Sequence, residues 1–452
     1  MIFDAEHIAR ATGGQLLATG PAGPVGTDSR RVAPGSWFVA LTGDRFDGHD
    51  FLPHAAAAGC AGAVVSRRPE RWDRGLVLVP DTLVALQDLA RAVRRDFPGP
   101  VVGITGSAGK TSTRVMVVDC LRGLGHVHHT QGNLNNHVGL PLTLLALPVD
   151  ADAIVLEMGM NHRGEIALLA DIGAPTVRLV TNVGAAHVEG CGSIEGVALA
   201  KQEIFDGSRP GDVVCVNLDD PRVAAMPVPE GVRVVTYGAD PAATVRLTDV
   251  AVDGERLQTR LRIDTPDGTV RATLDVPGAH LAQNAAAAVA VAYALRVPVD
   301  TLGPALGRFA PEGMRNRVER IGTAAVLDDA YNANPTSMVA AIHALAALPG
   351  EKIAVLGDML ELGAEEARGH AEVLEAARAL HHTWVTGPRM TEAAAQFPGV
   401  TVFADAEALG EALVDQGVGL PGEGVRHAVL VKGSRGMRME RVVERLRAAR
   451  KN

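Results

Sequence analysis

A chain of 452 residues exceeds one ordinary hydrophobic core and, at roughly 150 residues per domain, predicts about three domains. The net charge of −9, with no run rich in lysine and arginine, argues against a nucleic-acid partner. The N-terminus lacks the long apolar segment of a secretory signal, and the longest apolar run (residues 285–295) falls short of the roughly 20 residues that span a bilayer. The four cysteines have neither the density of a disulfide scaffold nor the spacing of metal ligands. We therefore expect a cytoplasmic protein without a membrane span.

Residues 1–98 read as a small α/β domain. Strands are expected in "SWFVALTG" and "GAVVS", with a helix around "FLPHAAAAG" between them. The prolines of "FPGP" at 97–100 then mark a boundary, because proline disfavours helix in the residue before it.

Residues 99–311 alternate apolar strand-like runs with helical stretches. The runs are "VVGITG", "DAIVLEMG", "VRLVTNVG", "DVVCVNLDD" and "VRVVTYG", and their alternation predicts a mostly parallel sheet covered by helices on both faces. Residues 244–277 alternate polar and apolar side chains around "VDGE" and "PDGT", which predicts antiparallel hairpins. Helices at 280–296 and near 302–309 are expected to close this domain.

A second linker is expected at "APEGMRNR", residues 310–317. After it, the strand-like runs "AAVLDDAYN", "KIAVLGDM", "HTWVTG", "VTVFAD" and "HAVLVKGS" alternate with alanine-rich helices. The predicted fold is therefore α/β with three domains: a central parallel-sheet P-loop ATPase domain (99–311) between a small α/β N-terminal domain (1–98) and a Rossmann-like C-terminal domain (312–452).

The segment "GITGSAGKTST", residues 103–113, stands between an apolar strand and a helix with apolar residues at Val115, Val118 and Leu121. Glycines in such a loop let several backbone N–H groups turn towards one anion, a lysine reaches the outer phosphates, and a threonine hydroxyl binds Mg²⁺. The residues expected to bind a nucleotide are Gly106, Ser107, Ala108, Gly109, Lys110, Thr111 and Ser112. The alternative is a Gly/Ser/Thr turn that happens to contain a lysine. The usual pattern has a glycine where Ile104 stands, so the residues alone leave the class of NTPase open.

Three more polar side chains belong to segments expected at the ends of central strands, where open α/β sheets bind ligands. They are Glu157 of "VLEMGMN", His187 of "TNVGAAHVEG" and Lys201 of "ALAKQEIF". Each also has an ordinary explanation as a cap residue, a loop histidine or a solvated helix lysine. The polar segment "DDAYNANP" at 328–335 fits either a ligand loop or a well-capped turn. "HVHHT" at 126–130 is interpreted as structural, because alternate residues of a strand face opposite sides.

Together these segments resemble the Mur ligase family of ATP-dependent amide-forming enzymes, whose loop has the form Thr-Gly-x-x-Gly-Lys-Thr. The resemblance covers all three predicted domains. It is carried by "TDSRRVAPGSWFVALTGDRFDGHDF", "QGNLNNHVGLPLTLL", "LEMGMN", "DDAYNANPTSM", "LGDMLELG" and "VKGSRGMRMERVV". The pairing of "YNANP" with "GDMLELG" is similar to the branch that adds D-alanyl-D-alanine to UDP-N-acetylmuramoyl-tripeptide through an acyl phosphate.

The resemblance implies the cofactors ATP and Mg²⁺, a monomeric enzyme, and a role for each of several residues. The implied catalytic residues are Lys110, His187, Lys201 and Arg317. The implied Mg²⁺ ligands are Thr111, Glu157, His187 and Lys201, the last as a carbamate formed with CO₂. Nucleotide contacts beyond the loop are implied for Asn284, Asn332 and Asn334. Substrate contacts are implied for Ser29, Arg30, Asp47, Gly48, His49, Asn135, Asn136 and Lys432.

Two positions depart from the family pattern. His137 stands where members often carry an acidic or amide residue, and Leu281 where they often carry asparagine. Two alternative functions remain at this point: another ligase of the family that adds diaminopimelate or lysine, and a non-catalytic, nucleotide-sensing relative. The second would have lost the metal set, which this sequence retains.

Overall fold

The computed structural model describes residues 1–43 and 45–450, which fold into two compact units. The first unit consists of residues 1–103, 124–159 and 165–176, and the second of residues 104–123, 160–164 and the chain from 177 onward. Within the described ranges, no helix is both long and apolar enough to cross a membrane. The predicted α/β class is confirmed.

The described part of residues 1–98 contains a five-stranded sheet, a two-stranded sheet of β4 and β5, and three α-helices. The elements are α1 (Ala5–Thr12), β1 (Gln15–Ala18), β2 (Val25–Gly26), β3 (Trp37–Val39), β4 (Thr42–Gly43), β5 (Phe46–Asp47), α2 (Leu52–Ala57), β6 (Gly62–Val65), β7 (Gly75–Leu78) and α3 (Thr82–Asp96). The sheet order is β1-β7-β6-β3-β2, parallel except for the pair β1 and β7. The run "SWFVALTG" forms two strands rather than one. Its chain leaves the sheet where the carbonyl of Leu41 accepts a hydrogen bond from the N–H of Gly48, at 2.7 Å.

The next stretch contains nine strands and eight helices. The elements are β8 (Val101–Thr105), α4 (Lys110–Leu121), β9 (His126–His129), α5 (Gly139–Leu145), β10 (Ala151–Glu157), α6 (Glu165–Gly173), β11 (Val177–Val180), α7 (Val188–Cys191), α8 (Ile194–Asp206), β12 (Val213–Asn217), α9 (Pro221–Ala224), β13 (Arg233–Gly238), β14 (Val245–Asp253), β15 (Gln258–Thr265), β16 (Gly268–Leu274), α10 (Ala279–Ala294) and α11 (Val299–Leu306).

Strand β8 is divided between the two units. In the first unit the strand order is β8-β10-β9, and β9 and β10 are parallel. In the second unit the order is β8-β11-β12-β13-β14-β15-β16. Strands β11 to β14 are parallel, whereas β14, β15 and β16 form the antiparallel hairpins predicted from residues 244–277.

Helix α4 is buried on nearly all sides rather than along one stripe. The helix predicted from the spacing of Val115, Val118 and Leu121 is present; Val118 and Leu121 are buried, and Val115 is partly buried. Helix α10 packs against α4, so burial extends around most of the helix. Even Arg114 is buried, and its guanidinium pairs with the carboxylate of Glu312.

The C-terminal stretch contains a six-stranded sheet between two layers of helices. The elements are β17 (Arg317–Ile321), β18 (Ala324–Asp329), α12 (Pro335–Ala346), β19 (Glu351–Gly357), α13 (Glu366–Ala377), β20 (His382–Thr386), α14 (Pro388–Ala394), β21 (Val400–Phe403), α15 (Ala406–Asp415), β22 (His427–Lys432) and α16 (Glu440–Ala449). The order is β17-β18-β22-β19-β20-β21, with only β17 antiparallel. Alternate residues of β19 enter different cores: Leu356 joins the core with α12 to α14, and Val355 the core with α15 and α16.

Strand β17 was not predicted, because its sequence is polar and follows directly on the expected linker. It forms by pairing with β18 at the sheet edge, from Arg317 opposite Asp328 to Ile321 opposite Ala324. A polar edge strand depends on its neighbour more than on its own hydrophobic pattern.

Candidate active site

The loop between β8 and α4 has the backbone shape of an anion site. Gly106 and Gly109 have positive φ angles of 152° and 79°. A Cβ atom added at position 106 would lie 1.8 Å from Thr181 Oγ1, and one at position 109 would lie 2.6 Å from Asn284 Oδ1. Gly109 is also the N-cap of α4 and provides no side-chain cap. The chain therefore presents the N-terminal end of a twelve-residue helix, with its partial positive charge, at a position that only glycine can occupy.

A second loop, which follows β11, supports this first loop through hydrogen bonds. The N–H groups of Ser107 and Ala108 donate to the backbone oxygen (3.0 Å) and to Oδ1 (2.9 Å) of Asn182. The carbonyl of Ala108 accepts from Asn182 Nδ2 (3.2 Å) and Thr181 Oγ1 (2.6 Å). The sequence alone predicts no role for Asn182, although Asn182 lies in the same segment as His187, "TNVGAAHVEG".

Lys110 and Lys201 lie near each other in the second unit. Lys110 Nζ donates to the carbonyl of Gly106 at 2.6 Å. Lys201, on α8, is only 1% exposed and makes no hydrogen bond or ion pair with any described side chain. Burial, and then the charge of Lys110, lower the pKa of Lys201 well below its usual value. These surroundings disfavour an ammonium and fit a lysine that works in a neutral or modified form.

His187 caps the short helix α7 in a left-handed conformation, with φ of 60°. Its Nδ1 lies 2.7 Å from Oε2 of Glu361, a residue of the C-terminal stretch and of the same compact unit. The hydrogen bond from His187 is the main reason that the pKa of Glu361 is lower than usual, although partial burial opposes the shift. Glu361 lies in "LGDMLELG", a segment that carries the family resemblance, but the sequence alone predicts no role for it.

Glu157 ends β10 in the first unit and is 1% exposed. Its N–H donates to Thr130 Oγ1 (3.0 Å), and its Oε1 accepts from Asn135 Nδ2 (2.8 Å). Asn136 makes a different contact: its Oδ1 accepts a hydrogen bond from the N–H of Gly139 (2.8 Å) at the start of α5. In residues 1–43 and 45–450, no group of three or more His, Cys, Asp or Glu side chains is placed to hold a metal ion by itself.

Asn334 joins the C-terminal stretch to the glycine-rich loop. Its Oδ1 accepts from the N–H of Ser337 (2.9 Å) and caps α12, while its Nδ2 donates to the carbonyl of Ser107 (3.1 Å). The capping box is complete, since Ser337 Oγ receives the N–H of Asn334 (3.1 Å). One side chain therefore contacts both the loop and the start of a helix.

Lys432 is buried at the end of β22, 3% exposed. Its Nζ lies 2.5 Å from Asp329 Oδ2 and 2.9 Å from the carbonyl of Asn332. The ammonium thus stabilises the "DDAYNANP" turn from inside. Arg317, by contrast, is exposed at the start of β17.

Polar residues of the N-terminal stretch form a local network around His49. Asp47 Oδ1 lies 2.6 Å from His49 Nδ1, and His49 Nε2 accepts from the N–H of Ser66 at 3.0 Å. Burial opposes ionisation of Asp47, but hydrogen bonds from the His49 N–H and from Arg67 hold its pKa well below the usual range. Asp47 is therefore charged at neutral pH, with one oxygen facing Arg67 at 2.5 Å.

Gly48, between these two residues, leaves no space for a side chain, since a Cβ atom would lie 2.5 Å from the carbonyl of Leu41. Ser29 is half-buried, and Arg30 is exposed with its guanidinium on Asp28, at 2.9 Å.

The structure brings several of the predicted residues together. In the second unit Asn334 donates a hydrogen bond to Ser107, and Asn284 lies beside Gly109. Lys110 is close enough to Lys201 for its charge to lower the pKa of Lys201. Arg317, by contrast, is exposed on an edge strand. In the first unit Asn135 contacts Glu157 and Asp47 contacts His49, whereas Arg30 is drawn to Asp28.

Comparison with known families matches three parts of the chain. Residues 24–94 match "Mur ligase family, catalytic domain", residues 104–292 match "Mur ligase middle domain", and residues 316–435 match "Mur ligase, glutamate ligase domain".

Individual relatives agree with this result over most of the chain. The UDP-N-acetylmuramoyl-tripeptide–D-alanyl-D-alanine ligase of Escherichia coli K12 is 39% identical over 425 residues, which is 93% of each chain. The Bacillus subtilis enzyme of the same name is 38% identical over 77% of this chain and 76% of its own. Among solved structures, MurF of Acinetobacter baumannii superposes with a TM-score of 0.92 at 30% identity over 99% of each chain. MurF of Thermotoga maritima in complex with ADP gives 0.85 at 30% identity, over 95% of this chain and 98% of that one.

Proposed function

This chain belongs to the Mur ligase family, and we propose that it joins D-alanyl-D-alanine to UDP-N-acetylmuramoyl-tripeptide at the expense of ATP. The observation that carries the proposal is similarity to enzymes of that name along nearly the whole chain. The reaction is the last cytoplasmic step in which amino acids are added to the peptidoglycan precursor. We propose that the protein acts in the cytoplasm as a monomer.

The proposed chemistry has two steps. An oxygen of the tripeptide's terminal carboxylate attacks the γ-phosphorus of ATP, the bond to the β,γ-bridging oxygen breaks, and an acyl phosphate and ADP form. The amine nitrogen of D-alanyl-D-alanine then attacks the acyl carbon and loses a proton, and inorganic phosphate leaves. A carboxylate is a poor acyl donor, so the first step makes the second one accessible.

In the first step two like charges must approach each other, and Lys110 would reduce their repulsion. We propose that its ammonium leaves the carbonyl of Gly106 for the β and γ phosphate oxygens, which also face the N-terminus of α4. The adenosine would contact Asn284, Asn332 and Asn334, and Arg317 would face the developing charge. The hydrogen bond from Asn334 to Ser107 supports a nucleotide site formed by the glycine-rich loop and the C-terminal stretch, which belong to the same compact unit.

The residues fit Mg²⁺, which prefers oxygen ligands and takes part of its shell from phosphate and water. Thr111, Glu157, His187 and a carbamate on Lys201 would hold the ions, and buried Lys201, without a protein partner among the described residues, is the observation that supports this assignment. Mg²⁺ would supply charge neutralisation at the phosphates and at the substrate carboxylate.

The two ends of the UDP-tripeptide would contact different elements. We propose Ser29, Arg30, Asp47, Gly48 and His49 near the UDP end and Asn135 and Asn136 nearer the peptide. Because Lys432 is buried against Asp329 and Asn332, its contribution to substrate binding would pass through the turn that it stabilises.

The experiment that tests the function is phosphate release with different amines. We expect release to require both UDP-N-acetylmuramoyl-tripeptide and D-alanyl-D-alanine, while D-glutamate, lysine and diaminopimelate give only the background seen without amine. Turnover with a single amino acid and none with the dipeptide would identify another ligase of the family instead. Absence of turnover with every amine, despite nucleotide binding, would favour the nucleotide-sensing alternative.

A second prediction concerns the support of the loop by Asn182. In Asn182→Ala the partly buried N–H of Ala108 loses its acceptor, and loss of such a hydrogen bond costs about 0.5–1.5 kcal/mol. Since about 1.4 kcal/mol changes a binding constant tenfold, we expect ADP with Mg²⁺ to bind up to roughly tenfold more weakly in titration calorimetry. Gln396→Ala, which removes an exposed amide elsewhere in the second unit, is the control and should bind ADP as the unmodified protein does. Unchanged ADP affinity in Asn182→Ala would show that the loop keeps its shape without this side chain.

A further inference from the structure

Glu361 belongs to "GDMLELG", a segment to which the proposed reaction assigns no role. It holds the start of α7 by two contacts: Oε2 lies 2.7 Å from His187 Nδ1, and its backbone oxygen accepts from the N–H of Glu189 at 3.2 Å. The following turn also fits closely, because a Cβ atom at Gly363 would lie 3.2 Å from the backbone of Glu189. The contact between the two segments is therefore made by backbone as well as side chain.

Both partners have unusual backbone conformations. His187 and Glu361 have φ angles of 60° and 65°, in the left-handed region that residues other than glycine seldom occupy. Such conformations persist where surrounding contacts impose them, and they are concentrated at functional sites. The two residues face each other across a contact that holds both.

The geometry of this contact also bears on which ring nitrogen of His187 carries the hydrogen. A carboxylate oxygen accepts hydrogen bonds, so this contact favours the His187 tautomer that carries its hydrogen on Nδ1 and its lone pair on Nε2. Within the described chain Nε2 makes no hydrogen bond, and the His187 side chain is 21% exposed. A carboxylate that binds one ring nitrogen and leaves the other available is the arrangement that orients histidines which ligate metals.

We propose that Glu361 is a positioning residue that holds His187 in the tautomer and orientation needed at the Mg²⁺ site. The inference rests on the proposed function, because that function supplies the role of His187. Its consequence is that the phosphoryl-transfer centre is complete only when the segment 357–363 of the C-terminal stretch is in contact with α7. The proposed role of His187 thus depends on a residue that acts through it.

The test compares Glu361→Ala, Glu361→Gln and the control Glu372→Gln in the full-length protein. Glu372 is an exposed carboxylate on α13, and the Glu361 side chain is 56% exposed, so all three variants are expected to fold, which thermal unfolding checks. The direct readout is the ¹⁵N NMR signal of the His187 ring, assigned by its loss in His187→Gln. Mn²⁺ binding in the presence of ADP, followed by electron paramagnetic resonance, is the second readout.

We expect Nδ1 to carry the hydrogen in the unmodified protein and in Glu361→Gln, whose amide oxygen still accepts, and the tautomers to mix in Glu361→Ala. Mn²⁺ affinity should fall about 10- to 100-fold in Glu361→Ala, less in Glu361→Gln, and not at all in Glu372→Gln. The kcat should fall with Mn²⁺ affinity, while KM for the UDP-tripeptide stays unchanged.

The inference is overturned if Glu361→Ala keeps both the tautomer and the Mn²⁺ affinity, or if it is more active than the unmodified protein, which would make the contact inhibitory. Neither NMR nor Mn²⁺ binding requires an amine substrate. A failure of the proposed function, seen as no turnover by the unmodified protein, is therefore distinguishable from a failure of this inference.

Discussion

Lys110→Ala is expected to lose acyl phosphate formation, with phosphate release reduced on the order of a hundredfold or more. The reason is that its ammonium lies at the start of α4, beside the glycine-rich loop, and is proposed to neutralise the phosphates during transfer. Phosphate release under saturating ATP, UDP-tripeptide and D-alanyl-D-alanine measures the effect.

The same variant should bind the UDP-tripeptide nearly as well as the unmodified protein, because the proposed UDP contacts lie in residues 1–98. Lys352→Ala, which removes a lysine of β19 outside the candidate site, is the matched control and should keep full activity. The proposal fails if UDP-tripeptide affinity falls in parallel with turnover in folded Lys110→Ala.

Lys201→Ala is expected to be nearly inactive and to regain part of its activity with a short carboxylic acid such as acetate. A neutral lysine amine attacks CO₂, forms a C–N bond and releases a proton, which leaves a carbamate with two oxygens. The lowered pKa of buried Lys201 favours the neutral amine that this step needs, whereas an ordinary lysine, with a pKa of about 10.4, is protonated. Acetate in the space of the deleted side chain restores a carboxylate to the site.

The carbamate itself is observable. Protein equilibrated with ¹³C-bicarbonate should give a carbamate NMR signal that Lys201→Ala lacks. Full activity under rigorous exclusion of CO₂, together with no carbamate signal, would show that Lys201 acts as the free amine. An active Lys201→Ala would remove the residue from the mechanism altogether.

The features that could be predicted well from the sequence are those determined by residues close together along the chain. The loop at 103–113 could be predicted because its glycines, lysine and helix start are consecutive, and the parallel strands because each is a buried apolar run. The antiparallel hairpins of residues 244–277 followed from alternation for the same reason. In each case the neighbours along the chain carry the physical information.

The missed features depend on contacts between distant segments. Asn182 lies 74 positions from Ala108, and Glu361 lies 174 positions from His187, so no local pattern distinguishes either from an ordinary polar loop residue. Strand β17 is polar and forms because β18 is beside it.

The double contact of Asn334 has a mechanical consequence for the nucleotide site. Its amide cannot leave the carbonyl of Ser107 without either rotating away from the N–H of Ser337 or moving the first turn of α12 with it. The free energy of ordering that turn and the free energy of reshaping the loop are therefore linked, so each influences the other by the same amount. A ligand that changes the shape of the loop is therefore expected to change how well the first turn of α12 is ordered, although that turn lies far along the chain from the loop.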